Sequence, residues 1–92
     1  MEYSFFTNLG WARLMQERWD DAEGQLREAI KISDQGAAPH CLLAQVLEQK
    51  KDEEQSVALA EWVKCFDYAR TPNPDEDQWL GIAQQRLSEA EL

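Results

Sequence analysis

The sequence predicts an all-α fold of five helices, in which antiparallel helix hairpins stack side by side. Three observations carry that expectation. Phe6, Leu9 and Gly10 stand three and four residues apart, so an aromatic ring, an aliphatic side chain and a bare backbone share one helical face. Ala22, Leu26 and Ala29 form a matching row in the next helical stretch, where the alanines let two backbones approach and Leu26 fills the space between. Adding 34 to Leu9, Gly10, Ala22 and Ala29 gives Leu43, Ala44, Ser56 and Val63, of similar size and in the same order. The repeat is weaker at Phe6 against His40 and at Leu26 against Ala60, so the second unit is degenerate.

The first helix is expected from about Tyr3 to Gln16. Its aromatic start, Tyr3, Phe5 and Phe6, leaves apolar surface that another repeat, another domain or a second copy would bury. After a turn at Glu17 to Trp19, the second helix is expected from Asp20 to Ser33. Asp20 with Glu23 has the spacing of a capping box, Trp19 stands where an apolar residue staples the entry, and Gly36 is expected to supply a positive φ after the helix. The third helix, Ala38 to Gln49, has Pro39 in its first turn, where a missing amide donor costs nothing. Lys50, Lys51 and Asp52 make the next turn, and Asp52 with Gln55 repeats the capping spacing. The fourth helix, Glu53 to Tyr68, carries Val57, Leu59, Trp62, Val63 and Phe66 around most of its circumference and is expected to be the most buried element. A linker from Arg70 to Pro74 leads to the fifth helix, Pro74 to about Glu89. There Trp79, Ile82, Ala83 and Arg86 reproduce the spacing of Phe6, Leu9, Gly10 and Arg13; a second register would use Leu80 and Gly81 instead. Asp77, Gln84, Gln85 and Ser88 give this helix a polar opposite face, as suits a cap that ends a stack.

Phe6, Leu9, Gly10, Ala22 and Ala29, with Leu26 in place of an aromatic, resemble the tetratricopeptide repeat family. Arg13 departs from the aromatic usual at its site, and Asp34 from the proline that usually ends the second helix. The resemblance covers two units, about 3–36 and 37–70, and a C-terminal capping helix at about 74–90, all within one domain of residues 1–92. It implies a right-handed α-α superhelix acting as a protein interaction module. In that family the first helices line a concave groove that takes an extended or helical peptide. Carried over, Asn8, Gln45 and Gln84 would pair with a peptide backbone, Trp11, Met15 and Leu42 would hold apolar side chains, and Gln49 and Leu80 would complete the inner row, with Thr7, Cys41, Gly81 and Ser88 beside them. The lysine-rich set with which one subfamily grips a C-terminal carboxylate is absent from these positions. An apolar or mildly basic peptide is therefore the expected partner. The alternative is structural: self-association through Tyr3 and Phe5, or a scaffold in cis within a larger bacterial protein.

Composition narrows the function classes. Eighteen acidic against nine basic residues give a net charge of -9, which disfavours nucleic acid and anionic lipid as partners. No apolar run is long enough to cross a membrane and the first residues lack a basic secretion start, so a soluble, cytoplasmic protein is expected. At this length stability is expected on the order of 5 kcal/mol. Cys41 and Cys65 make neither a disulfide framework nor a zinc motif, and read as small apolar core residues. His40 occupies the site of Phe6 and reads as a core residue rather than a base. No coupled nucleophile and base, phosphate loop or ligand cluster is legible, so neither enzymatic activity nor a cofactor or metal is expected.

Overall fold

The structure, a computed structural model, describes residues 2–50, 55–69 and 74–90, without the side chains of 74–76. Its helices are α1 (Glu2–Met15), α2 (Trp19–Ile32), α3 (Ala37–Gln49), α4 (Gln55–Tyr68) and α5 (Pro74–Ala90). Each packs on the next, and α3 touches both α1 and α5. This is the neighbour pattern of stacked hairpins. The radius of gyration, 12.2 Å, is that of an ordinary compact domain of this length, about 12 Å. Asp52 of the expected capping pair and most of the expected linker lie outside the described residues.

The helix ends follow local rules, with two corrections. α1 closes with Arg18 N–H donating to the Arg13 carbonyl and Glu17 N–H to that of Leu14, both at 2.9 Å. These are the two bonds of a Schellman closure, and Glu17 takes the left-handed conformation it demands at φ 60°. Gly36, expected to serve that purpose after α2, has φ -89° and stands at the N-cap of α3. Space is short there instead: a Cβ would overlap the Tyr3 hydroxyl, so a larger residue requires that side chain to move. Asp20 and Glu23 do not form a capping box, because α2 begins one residue early at Trp19 and its N-cap is Arg18, without a side-chain bond. Their carboxylates hold Lys50 Nζ at the end of α3, at 2.8 Å and 2.6 Å.

The α1–α2 interface forms as its spacing dictates. Ala22, Leu26 and Ala29 are fully buried, and a Cβ on Gly10 would stand 2.6 Å from Leu26 Cγ, so only glycine fits the crossing. In the second hairpin the first helix keeps the 34-residue shift, with Leu43 and Ala44 fully buried. The second helix does not. Ser56 is exposed, Ala60 is exposed and Val63 is 43% exposed. The residues that pack are Ala58, Trp62 and Cys65, which match Ala22, Leu26 and Ala29 at a shift of 36. The intervening turn is two residues longer, and a turn can lengthen without disturbing the pattern inside either helix. In α5, Trp79 and Ala83 are buried while Gly81 is exposed with open space beside it, which selects the first of the two registers.

The shifted register explains the disulfide joining Cys41 to Cys65, which corrects the reading of these residues as unpaired. They occupy the positions that Thr7 and Ala29 hold in the first hairpin, where both residues are buried at the helix contact. The most buried element is α3, with nine buried residues, rather than α4. α3 lies between two hairpin neighbours and also touches α1 and α5, whereas α4 leaves Val57, Val63 and Phe66 exposed. α3, α4 and α5 are locked by one carboxylate: Glu48 Oε2 accepts from Trp62 Nε1 and from Arg86 Nε, each at 2.7 Å. Arg13, at the matching position in α1, donates to Gln16 at 3.0 Å.

Candidate functional site

The row of residues expected to face a ligand comes from α1, α3 and α5. Asn8, Gln49 and Gln84 are exposed, Met15 is 72% exposed, and Trp11, Gln45 and Leu80 are half-buried. Leu42 is a correction: it is 1% exposed and belongs to the core. So are Thr7 and Cys41, the first because its hydroxyl turns back to the Tyr3 carbonyl at 2.8 Å, the second because it is disulfide-bonded. Leu42 belongs to a cluster drawn from α2, α3, α4 and α5. Trp11 of α1 and Trp79 of α5 meet edge to face with centroids 5.0 Å apart, and both pack on the cluster that contains Leu42. The indoles therefore span from the first helix to the fifth, over the helix between them. Gln45 Nε2, on the same helix as Leu42, is buried with no hydrogen-bond partner among the described residues. A buried donor left unpaired costs about 1–3 kcal/mol.

Two clefts lie elsewhere. One, of about 680 Å³, is at the hairpin ends and is lined by Trp19, Asp20, Gln49 and Lys50 among others. Gln49 thus also faces the turns. Here the neighbouring carboxylates Asp20 and then Glu23 raise the Lys50 pKa above its ordinary value. Burial pushes the Glu23 carboxyl up, but bonds to Lys50 and Arg27 outweigh it and hold the pKa below its ordinary value.

The second cleft, of about 260 Å³, lies between α2 and α4, with Arg27, Ile30 and Lys31 on one side, Glu61 and Lys64 on the other, and His40 between. His40 is buried as expected for the site of Phe6, but it is also the centre of a polar bridge. Nδ1 lies 2.6 Å from Glu61 Oε1, and Nε2 lies 2.8 Å from the Asp34 carbonyl. Burial pushes the Glu61 carboxyl up, and the His40 bond and charge, with Lys64 and Arg27, more than reverse this, leaving it below its ordinary 4.5. A lowered carboxyl stabilises the fold at pH above its unfolded value, and that contribution is lost as pH falls through the folded value. Glu61→Gln is therefore expected to lower stability at pH 7 and to flatten the loss of stability below about pH 4.5. Urea titrations of both proteins from neutral to acid pH would show it, and parallel acid limbs would exclude it. Among the described residues no hydroxyl or thiol lines this cleft.

Sequence reasoning missed Glu61, because an isolated carboxylate in a helix reads as surface, and its partner stands 21 residues away. It missed the Trp11–Trp79 contact because those residues were assigned to different faces. The comparisons add no relative: no protein-family model, no curated protein and no solved structure matches this chain. Among the described residues no helix is long and apolar enough to cross a membrane.

Proposed function

We propose that the chain is a protein interaction module of the tetratricopeptide-repeat kind, binding a peptide segment of a partner across α1, α3 and α5, and that it is not an enzyme. The observation that carries this reading is the Trp11–Trp79 pair, a fixed aromatic floor reaching from the first helix to the last. Met15 stands exposed on the same helix as Trp11, and Asn8 and Gln84 supply amides for a peptide backbone. Trp79 is itself buried, so the pair offers a ligand only the half-buried Trp11 beside the exposed Met15; aromatic and methionine side chains are enriched at interfaces, and amides add hydrogen bonds without demanding a charged ligand. With a net charge of -9, an apolar or mildly basic peptide fits and an acidic one does not. A cytoplasmic, bacterial setting goes with the sequence, but the disulfide weighs against it, since disulfides persist mainly in oxidising compartments.

Selection from a displayed peptide library tests the proposal. Wild type is expected to enrich apolar or basic peptides whose affinity falls about tenfold in Met15→Asp. Failure to enrich any sequence, or equal binding by the variant, would overturn it. Self-association is the second reading, favoured by Phe5, which is 60% exposed with only an edge contact to Phe6. Tyr3 contributes less to such a surface, since it is half-buried with its hydroxyl over Gly36. A wild-type dimer in light scattering that Phe5→Ser returns to monomer would establish that reading in place of the first.

A further inference from the structure

The cleft between α2 and α4 gathers cations in a chain that has few. Seven lysines and arginines stand among the described residues, and three of them, Arg27, Lys31 and Lys64, line this space of about 260 Å³. Each is held loosely. Arg27 donates to Glu23 through Nε at 2.8 Å, and Lys31 to Glu28 at 2.9 Å, each partner lying one turn away on α2. Exposed pairs of this kind contribute little, so a ligand can draw the cations from them readily. Glu23 is also shared with Lys50 at 2.6 Å, which leaves Arg27 only part of a carboxylate. Lys64 approaches Glu61 at 3.7 Å, beyond hydrogen-bond distance. Glu61 is the one carboxylate lining the cleft among the described residues, and it is turned inward, its side chain 11% exposed and its Oε1 against His40. Lys64 and Arg27 both help to hold its carboxyl below the ordinary value, so both charges act inside the cleft.

We propose that this cleft binds a small dianion, a phosphate group either free or carried as a monoester on a partner's side chain. Charge sets the valence: three cations against the single carboxylate of Glu61 leave two positive charges in the lining, and a phosphate monoester carries nearly two negative ones at neutral pH. The lysines suit phosphate as point charges, and the Arg27 guanidinium adds a planar fork. Size sets the rest. The volume of about 260 Å³ falls below the roughly 300–1,000 Å³ of pockets that enclose drug-sized ligands, so the group bound is small. The chain's net charge of -9 does not oppose this, because exposed charges farther off than about 8 Å are screened at physiological ionic strength. A small ion meets the local set, whereas a nucleic acid or an anionic membrane would extend over the acidic surface around it. The cleft shares no residue with the row of α1, α3 and α5 proposed for the peptide, and neither proposal requires the other.

Inorganic phosphate, titrated into the full isotope-labelled chain at neutral pH and constant ionic strength, tests the site through NMR chemical shifts. Saturable shifts are expected at Arg27, Lys31, His40 and Lys64, with affinity falling about tenfold in Lys31→Gln with Lys64→Gln. Both lysine side chains are exposed, at 75% and 50%, so circular dichroism of this pair should match wild type. Arg13→Gln with Arg18→Gln removes as much charge outside the cleft and is expected to bind phosphate as wild type does. A glycyl-phosphoseryl-glycine tripeptide separates the two sources. Binding about tenfold tighter than inorganic phosphate would assign the cleft to a modified partner, and equal or weaker binding to the free ion. Equal weakening in the two double variants would show attraction by scattered surface charge and overturn the site. Formate binding as tightly as phosphate, binding of the unphosphorylated tripeptide at the same residues, or no saturable shifts in wild type would overturn it too.

Discussion

Trp62→Ala is expected to cost about 3–5 kcal/mol, which for a domain with on the order of 5 kcal/mol in total leaves the chain largely unfolded at room temperature. Trp62 is the largest fully buried side chain, and truncation opens a cavity at the contact of α3 and α4. It also takes from Glu48 one of two donors, leaving Arg86 as its partner. Trp62→Phe separates the two effects, because it keeps most of the ring volume and loses only the indole N–H. A hydrogen bond to a charged group contributes about 1.5–3 kcal/mol, so the phenylalanine variant should fall between wild type and alanine. Urea unfolding followed by circular dichroism gives the order directly. An alanine variant within about 1 kcal/mol of wild type would remove Trp62 from the centre of the core. Equal loss in both variants would assign its contribution to the bond with Glu48 rather than to packing.

That Trp62 organises the second hairpin was legible in principle. Ala58, Trp62 and Cys65 repeat the small, large, small row of Ala22, Leu26 and Ala29. A strict period across the turn concealed it and put Ser56, Ala60 and Val63 in their place. The first hairpin was read correctly because its rows lie within single helices, where 3.6 residues per turn leaves no freedom. The burial of α4 was misread for a different reason. Apolar residues around a helix mean burial only if something lies on every side, and sequence does not say how many neighbours a helix has. For the candidate site, Asn8, Met15, Gln49 and Gln84 are accessible as read, since exposure follows from the helix face alone. Leu42 is not: it is buried in a core cluster whose members come from α2, α3, α4 and α5, far apart in the chain. The His40–Glu61 bridge and the Lys50 cluster likewise join separate helices, and no local spacing announces either.

Loss of the Cys41–Cys65 disulfide is expected to lower stability by about 3 kcal/mol, the loop entropy for a separation of 24 residues. That corresponds to a fall of roughly 15 °C in Tm for a domain of this size. The second hairpin needs the link more than the first, since α4 leaves three large apolar residues exposed where α2 leaves only Ile32. The clean variant is Cys41→Thr with Cys65→Ala, which installs the residues that the first hairpin uses at the same contact, Thr7 and Ala29. It removes the tether while keeping side chains that this contact already accommodates. Thermal unfolding with and without reductant should show wild type losing stability on reduction and the variant indifferent to it, both ending near the same Tm. Two reactive thiols in the denatured, unreduced wild-type chain, together with a Tm that reductant does not move, would eliminate the disulfide.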